Sequence, residues 1–314
     1  MPATTANPTI PDAPHLKVQR DAPMSLSTTW RIGGPADLLV RAPTPADVVA
    51  AARWAGREGL PVTVIGGGSN LLVGDGGIRG LVVVARTPGE KAVALVSTVD
   101  HGDAVELMVA AQAPLSWVGR YACERGLAGM DWGVGLPGTI GGATVNNAGA
   151  HGAEQKDALV SVEVLTVDGE VETRNRAWLE PAYRHTRIKA SPRPRAHTVL
   201  SATFLLPKDD PTRLVALADE HADYRKRTQP TGQCAGSTFA NPPGDYAGRL
   251  LEAAGLKGFT VGSISFSTKH TNFIVNAGGG TAAQVRELIE IGRDTVRERF
   301  GIYLATEIEE VGER

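Results

Sequence analysis

The sequence predicts an α+β fold, a larger two-lobed part followed by a smaller C-terminal domain. Three observations carry this. Two glycine-rich loops, at 66–72 and 136–154, interrupt a strand-rich first two-thirds of the chain. A polar, proline-bearing break at 207–211 ends that region. Beyond it the period changes, and the pattern at 281–299 sets Val285, Leu288, Ile289, Gly292 and Val296 on one face of a long helix. A length of 314 residues suits one large or two medium domains.

Each element has a local reason. Residues 1–22 are polar and proline-rich and are expected to be disordered or weakly tethered. They lack the basic start and apolar run of a secretory signal. Residues 37–41 read as a short strand. Thr44, Pro45 and Asp47 start a helix: a capping hydroxyl, a proline in the first turn and an acid near the dipole. That helix runs to 57, and Gly59 ends it. Residues 60–65 form a buried strand and 78–85 another, so 23–86 reads as a β-α-β-β lobe. The second lobe, 87–206, opens with strands at 91–97 and 104–111 and a helix at 115–126. Asp168-Gly169, between the runs 159–167 and 170–174, is a hairpin signal. A strand follows at 197–206. The domain at 207–314 reads as helices at 212–227, 245–254 and 281–299, a strand at 271–276, and a final strand over 303–311 that carries Glu307.

Composition excludes several classes. A formal net charge of −2 argues against a nucleic-acid footprint. Two cysteines, Cys123 and Cys234, make no disulfide framework. No run of about 18 apolar residues is present to span a membrane. The histidines are scattered, with no metal-ligand cluster. A soluble cytoplasmic protein is the default expectation.

The stretch 136–154 carries glycine at 138, 141, 142, 149 and 152. Each interior glycine costs a helix roughly 1 kcal/mol against alanine, and no strand period is present. Such a composition suits backbone laid against a large ligand. Gly133, Gly135 and Gly138 fit G-x-G-x-x-G, but Pro137 interrupts the pattern and Gly141-Gly142 falls where a helix should open, so we reject a Rossmann reading. Gly66-Gly67-Gly68-Ser69-Asn70 follows a strand, and consecutive N–H groups in such a turn form a concave anion site. It lacks the Lys-Ser/Thr ending of a triphosphate loop. A diphosphate held by neutral donors, with the second loop for the rest of a dinucleotide, fits both stretches.

The two glycine stretches, Tyr183-Arg184, Gln229-Pro230, Ala235-Gly236-Ser237, Phe239, Asn241-Pro242, the run 269–273 and Glu307 occur in an order that resembles the UDP-N-acetylenolpyruvoylglucosamine reductase family, over about residues 25–312. The resemblance implies a two-lobed FAD-binding domain of the vanillyl-alcohol-oxidase type, then a smaller α+β substrate domain. It implies non-covalent FAD, NADPH as reductant, and reduction of UDP-N-acetylglucosamine enolpyruvate to UDP-N-acetylmuramate for peptidoglycan. The spacing from Arg184 to Ser237 resembles the shorter form that lacks an inserted substrate-covering loop. FAD contacts are implied at Gly66, Gly67, Gly68, Ser69, Asn70, Leu71, Pro137, Gly138, Thr139, Ile140, Gly141, Gly142, Asn147 and Gly149.

In the family reaction NADPH reduces FAD and leaves, and the flavin then gives hydride to the terminal enol-ether carbon. The enolate-like product is protonated at the neighbouring carbon. By resemblance, Arg184 polarises the substrate carboxylate, Ser237 supplies the proton, and Glu307 is a second acid paired with the arginine. Alone, Arg184 reads as a surface residue in a basic run and Ser237 as a loop serine. Strand alternation puts Glu307 and Glu309 on one face, and nothing local selects Glu307. Tyr183, Arg225, Asn241 and His270 match substrate contacts. The chain departs from the family pattern in four places. Thr228 replaces a lysine, so Arg225 or Arg227 carries the phosphate charge. Ala240 also replaces a lysine. Gln112 replaces a turn glycine, and Thr186 replaces a serine with its hydroxyl kept. A sugar or alcohol oxidase on the same scaffold is the competing enzyme, and Arg184, Ser237 and Glu307 together argue against it. A non-catalytic flavin or nucleotide-sugar binder is the third reading.

Overall fold

The computed structural model describes residues 7–314. The chain forms β1 (Gln19–Pro23) and β2 (Pro35–Arg41), then α1 (Pro45–Arg57). Thr44 Oγ1 accepts the Asp47 N–H at 3.2 Å, and the Asp47 carboxylate accepts the Thr44 N–H at 3.1 Å, a capping box at the predicted start. β3 (Val62–Ile65), β4 (Leu71–Val73) and β5 (Ile78–Val84) follow, with β3 and β5 parallel in a sheet ordered β1-β2-β5-β3. β6 (Val96–Asp100) and β7 (Ala104–Ala110) are antiparallel, and α2 (Leu115–Glu124) comes next. The strand expected over 91–97 is mostly a 3-10 turn, Gly89–Leu95, whose one buried residue is Ala92.

α3 (Ile140–Asn146) lies inside the glycine stretch that looked unsuited to helix. Thr139 caps it through the Gly142 N–H, Ile140 is fully buried, and Asn147 ends it in the left-handed region. Tertiary burial outweighs propensity over so short a segment. β8 (Gly149–Ala150) and β9 (Ala153–Glu154) form a small hairpin. β10 (Leu159–Thr166) and β11 (Val171–Asn175) are joined at Asp168-Gly169 as predicted. α4 (Arg176–Leu179), α5 (Arg187–Ala190) and β12 (His197–Pro207) follow, and β12 completes a sheet ordered β11-β10-β12-β7-β6.

α6 (Pro211–Thr228), β13 (Gln233–Ser237), α7 (Ala247–Ala253), β14 (Thr260–Val261), β15 (Ile264–Phe266), β16 (Phe273–Asn276), α8 (Ala282–Phe300) and β17 (Glu309–Val311) complete the chain. The sheet β13-β16-β15-β14 is antiparallel. α8 buries the five residues that its period selects. Its first N–H groups, those of Ala282 and Ala283, donate to the Asp75 carboxylate at 2.8 and 2.9 Å. The last strand is shorter than expected and does not carry Glu307. Residues 305–307 bond to 238–240, then the chain changes partner and β17 pairs with β4 in parallel.

Two compact units result. One holds 7–22, 37–67 and 80–223; the other holds 23–36, 68–79 and 224–314. The division therefore falls at 223/224, not at 207, and two segments expected in the first lobe belong with the C-terminal chain. Their contacts explain it. Trp30 Nε1 donates to the Ile274 carbonyl at 2.8 Å, Asn276 Nδ2 donates to the Trp30 carbonyl at 2.9 Å, and Trp30, Ile32 and Leu72 lie in the C-terminal core. The first unit has a core around β7, β10, β12 and α2, a small cluster of Cys123, Val134, Leu214 and Ala218, and a core around α1, β2 and β5. Ile10, Ala13, Leu16 and Val18 belong to the latter, so residues 7–22 are ordered, contrary to the expectation for 1–22. The remainder of that expectation, residues 1–6, lies outside the described residues. No helix among the described residues is long and apolar enough to cross a membrane.

Candidate active site

In the first unit the two glycine stretches touch backbone to backbone. A Cβ on Gly66 would lie 2.3 Å from Thr139 Oγ1, and one on Gly67 would lie 2.9 Å from Gly138 Cα. Gly141 is fitted as closely against Ala111, whose carbonyl accepts the Gly141 N–H at 2.9 Å. Ile140 turns its side chain into the core and can offer a cofactor only its backbone. Pro137 is exposed, Gly138 and Gly142 half-buried, and Thr139 buried. A cradle that any side chain would fill, lined by uncharged donors, fits the diphosphate and flanking groups of FAD.

Asn147 has a different role from the expected one. Its Nδ2 donates to Glu154 at 3.2 Å and to the Ala182 carbonyl at 2.9 Å, and its Oδ1 accepts the Lys156 N–H at 3.0 Å. Both amide hydrogens are spent inside the protein, so Asn147 is a strut and not a cofactor donor. It supports the turn that carries Tyr183 and Arg184, closed by paired bonds between Ala182 and His185 at 3.0 Å. Tyr183 is exposed at the tip. Arg184 is half-buried, at φ 52°, and its Nη2 donates to the Gly149 carbonyl at 2.8 Å. Gly149 thus serves Arg184 through its carbonyl, with no room for a Cβ against Ala153. Thr186 caps α5 and donates its hydroxyl to the Val145 carbonyl at 2.6 Å.

In the second unit β13 ends in an irregularity. Cys234 pairs with Val275 and Ser237 with Phe273, so β13 has one extra residue, and Gly236 there has φ 76°. Such a bulge re-aims the next side chain, and it explains why glycine precedes Ser237. Ser237 is half-buried, whereas Thr238 and Phe239 are fully buried. The Glu307 N–H donates to the Thr238 carbonyl at 2.8 Å, so Ser237 and Glu307 flank one hydrogen-bonded peptide pair. Asn70 Nδ2 donates to the Glu307 carbonyl at 3.2 Å, and the Asn70 carbonyl accepts the Glu309 N–H at 2.9 Å. The segment with Gly68, Ser69, Asn70 and Leu71 is thereby tied to Glu307. Gly68 is buried, and its carbonyl accepts the Thr29 N–H at 3.1 Å.

The substrate-side residues differ in setting. Arg225 is half-buried beside Cys234, and burial pulls its guanidinium below the ordinary value while pushing the Cys234 thiol up. Arg227 is exposed, and Thr228 returns its hydroxyl to the Tyr224 carbonyl at 2.8 Å. Lys269 Nζ donates to the Lys226 carbonyl at 2.5 Å. Asn241 Oδ1 accepts the Ala247 N–H at 3.0 Å, which holds the start of α7. His270 is lowered below the ordinary histidine value by burial, and its ring packs edge-on to Phe273. Asn272, within the run 269–273, has no role legible in the sequence, because its polar neighbours hide a burial that only the fold reveals.

A glycine cradle for a dinucleotide, carried with a serine–glutamate arrangement on one chain, defines a two-domain α+β flavin-dependent oxidoreductase. Residues 36–174 match the profile of a FAD binding domain, and 228–311 match that of the UDP-N-acetylenolpyruvoylglucosamine reductase C-terminal domain. UDP-N-acetylenolpyruvoylglucosamine reductase of Chloroflexus aggregans is 41% identical over 93% of this chain and 97% of its own. The enzyme of that name from Rubrobacter xylanophilus is 40% identical over 93% and 95%. The crystal structure of UDP-N-acetylenolpyruvylglucosamine reductase (MurB) from Thermus caldophilus superposes with a TM-score of 0.76 at 33% identity, covering 94% of this chain and 99% of that one. The chain belongs to the UDP-N-acetylenolpyruvoylglucosamine reductase family.

Proposed function

We propose that this protein reduces UDP-N-acetylglucosamine enolpyruvate to UDP-N-acetylmuramate with NADPH, in peptidoglycan precursor synthesis. The observation that carries this reading is the bulge at Gly236 together with the Thr238–Glu307 bond, which sets a serine and a glutamate on adjoining peptides in a chain of this family. When bound, FAD relays the electrons of NADPH to the enolpyruvyl double bond. Gly66, Gly67, Gly138 and Gly141 let backbone approach that cofactor, and Ser69 and Thr139 add neutral donors. Arg184 holds the substrate carboxylate with paired, permanently charged donors and so stabilises the charge that develops next to it. The Ser237 hydroxyl delivers the proton to the carbon beside that carboxylate, and Glu307 keeps the proton supply in place.

Of the two candidate cations near Gln229-Pro230, we assign the diphosphate to Arg225. Arg225 is half-buried, where a charge acts on an anion with less screening by water, whereas Arg227 is exposed. The cytoplasm is the proposed working location, since NADPH and sugar nucleotides are small soluble reactants, and a monomer is the proposed working form. The test is anaerobic. NADPH should bleach the flavin of the purified protein, and UDP-N-acetylglucosamine enolpyruvate should restore the colour with one UDP-N-acetylmuramate formed per flavin. Bleaching without recovery would discard the substrate assignment.

A further inference from the structure

Asn272 is 3% exposed, and its side chain spans the N–H and the carbonyl of a single residue of a neighbouring segment. Its Oδ1 accepts the Phe239 N–H at 2.9 Å, and its Nδ2 donates to the Phe239 carbonyl at 2.8 Å. Its own carbonyl accepts the Thr238 N–H at 2.7 Å. Thr238 is therefore held from both sides: its N–H by Asn272, and its carbonyl by the Glu307 N–H at 2.8 Å. Next along the chain, the Ala240 N–H donates to the Ala305 carbonyl at 2.9 Å. Asn272 is itself fixed, with its N–H on His270 Nδ1 at 3.3 Å and Phe273 paired with Ser237 in the sheet.

The amide stands in for a strand. One donor and one acceptor on the same planar group reproduce what a paired residue continuing β16 would have offered to Phe239, at a place where the bulge ends the regular ladder. We infer that Asn272 is a positioning residue for the proton-delivery step, clamping 238–239 so that Ser237 and Glu307 keep their mutual register. The inference rests on the proposed role of Ser237. It differs from a plain packing role because it requires both halves of the amide.

The Asn272→Asp variant of the full-length protein tests this. An ionised carboxylate keeps the acceptor for the Phe239 N–H and sets a second acceptor against the Phe239 carbonyl. A protonated carboxyl restores one donor and one acceptor, and burial raises its pKa. At pH 8, bleaching by NADPH should stay within about twofold of the parent, since a misplaced group costs only the step it serves. Recovery of colour with UDP-N-acetylglucosamine enolpyruvate should slow by on the order of 10- to 100-fold. The variant-to-parent ratio for that recovery should climb as pH is lowered. Asn272→Ser, with nothing to titrate, should slow the same step at a pH-independent ratio, and it replaces the aspartate variant if that does not fold. Recovery at the parental rate, equal slowing of both steps, or a ratio for Asn272→Asp that ignores pH would each overturn the inference. Ser237→Ala run alongside separates the two ideas. If it recovers colour normally, the serine role is wrong; if it is slow while the Asn272 variants are normal, only the clamp is wrong.

Discussion

Arg184 holds a backbone conformation that side-chain-bearing residues seldom adopt, at φ 52°. Such a residue costs of order 1–3 kcal/mol and persists where its surroundings impose it. Here Asn147 grips the Ala182 carbonyl on one side of the turn, and the Arg184 guanidinium grips Gly149 on the other. Lysine keeps the charge but loses the planar fork. Arg184→Lys should therefore retain FAD while turnover falls by roughly 10²–10³, the scale of losing one preorganised donor. Turnover at the parental level beside an unchanged flavin spectrum would return Arg184 to the role of a surface cation. Ser237 allows a cleaner separation, because NADPH oxidation needs no proton at the enolpyruvyl carbon. Ser237→Ala should leave bleaching by NADPH nearly intact and slow the recovery of colour by at least about 10²–10⁴-fold, the contribution of a general acid. An unchanged recovery would shift the proton to another group, with Glu307 the first to examine.

Elements were legible in the sequence where their determinants are local. The start of α1 needs only Thr44, Pro45 and Asp47, and the buried face of α8 needs only its own period. Elements whose partners are remote were not legible. α3 forms from a glycine-rich stretch because Ile140 is buried and Thr139 caps it, neither of which composition reports. The alternation expected around Glu307 fails because residues 305–307 follow 238–240 and the chain then turns to β4. Two predictions belong at this scale. Gly67→Ala would drive a Cβ to 2.9 Å from Gly138 Cα, a backbone atom that cannot swing away. The variant should lose FAD affinity, and an equilibrium dialysis that finds it unchanged would show that the two loops need no such approach. Asp75→Ala removes the acceptor for the first two N–H groups of α8. It should lower stability by about 1 kcal/mol, typical of a lost helix cap, as read from urea unfolding. A loss under about 0.3 kcal/mol would show that Thr281 and Gln284 suffice.

At the scale of the whole molecule, prolines at 207–211 marked the end of β12 but not the division of the chain, because Leu214 and Ala218 of α6 pack with Cys123 and Val134, while Trp30 and Leu72 are committed to the C-terminal core. Gly66 and Gly67 lie against Thr139 and Gly138 within the first unit. A ligand that engages this loop is bound by the folded chain and by nothing in the unfolded one. Binding to the native state alone adds RT ln(1 + [L]/Kd), about 2.7 kcal/mol at a hundredfold excess over Kd. The protein should therefore purify yellow with non-covalent FAD. Acid or heat precipitation should leave the flavin in the supernatant, since neutral donors and close backbone make no bond to it. Stripped protein should be colourless, melt at a lower temperature, and regain the higher midpoint in proportion to the logarithm of added FAD. FMN, which lacks the diphosphate bridge and the adenosine, should restore little of that midpoint. A protein that stays colourless with FAD present, or whose midpoint FMN raises as far as FAD does, would remove the dinucleotide cradle from the scheme.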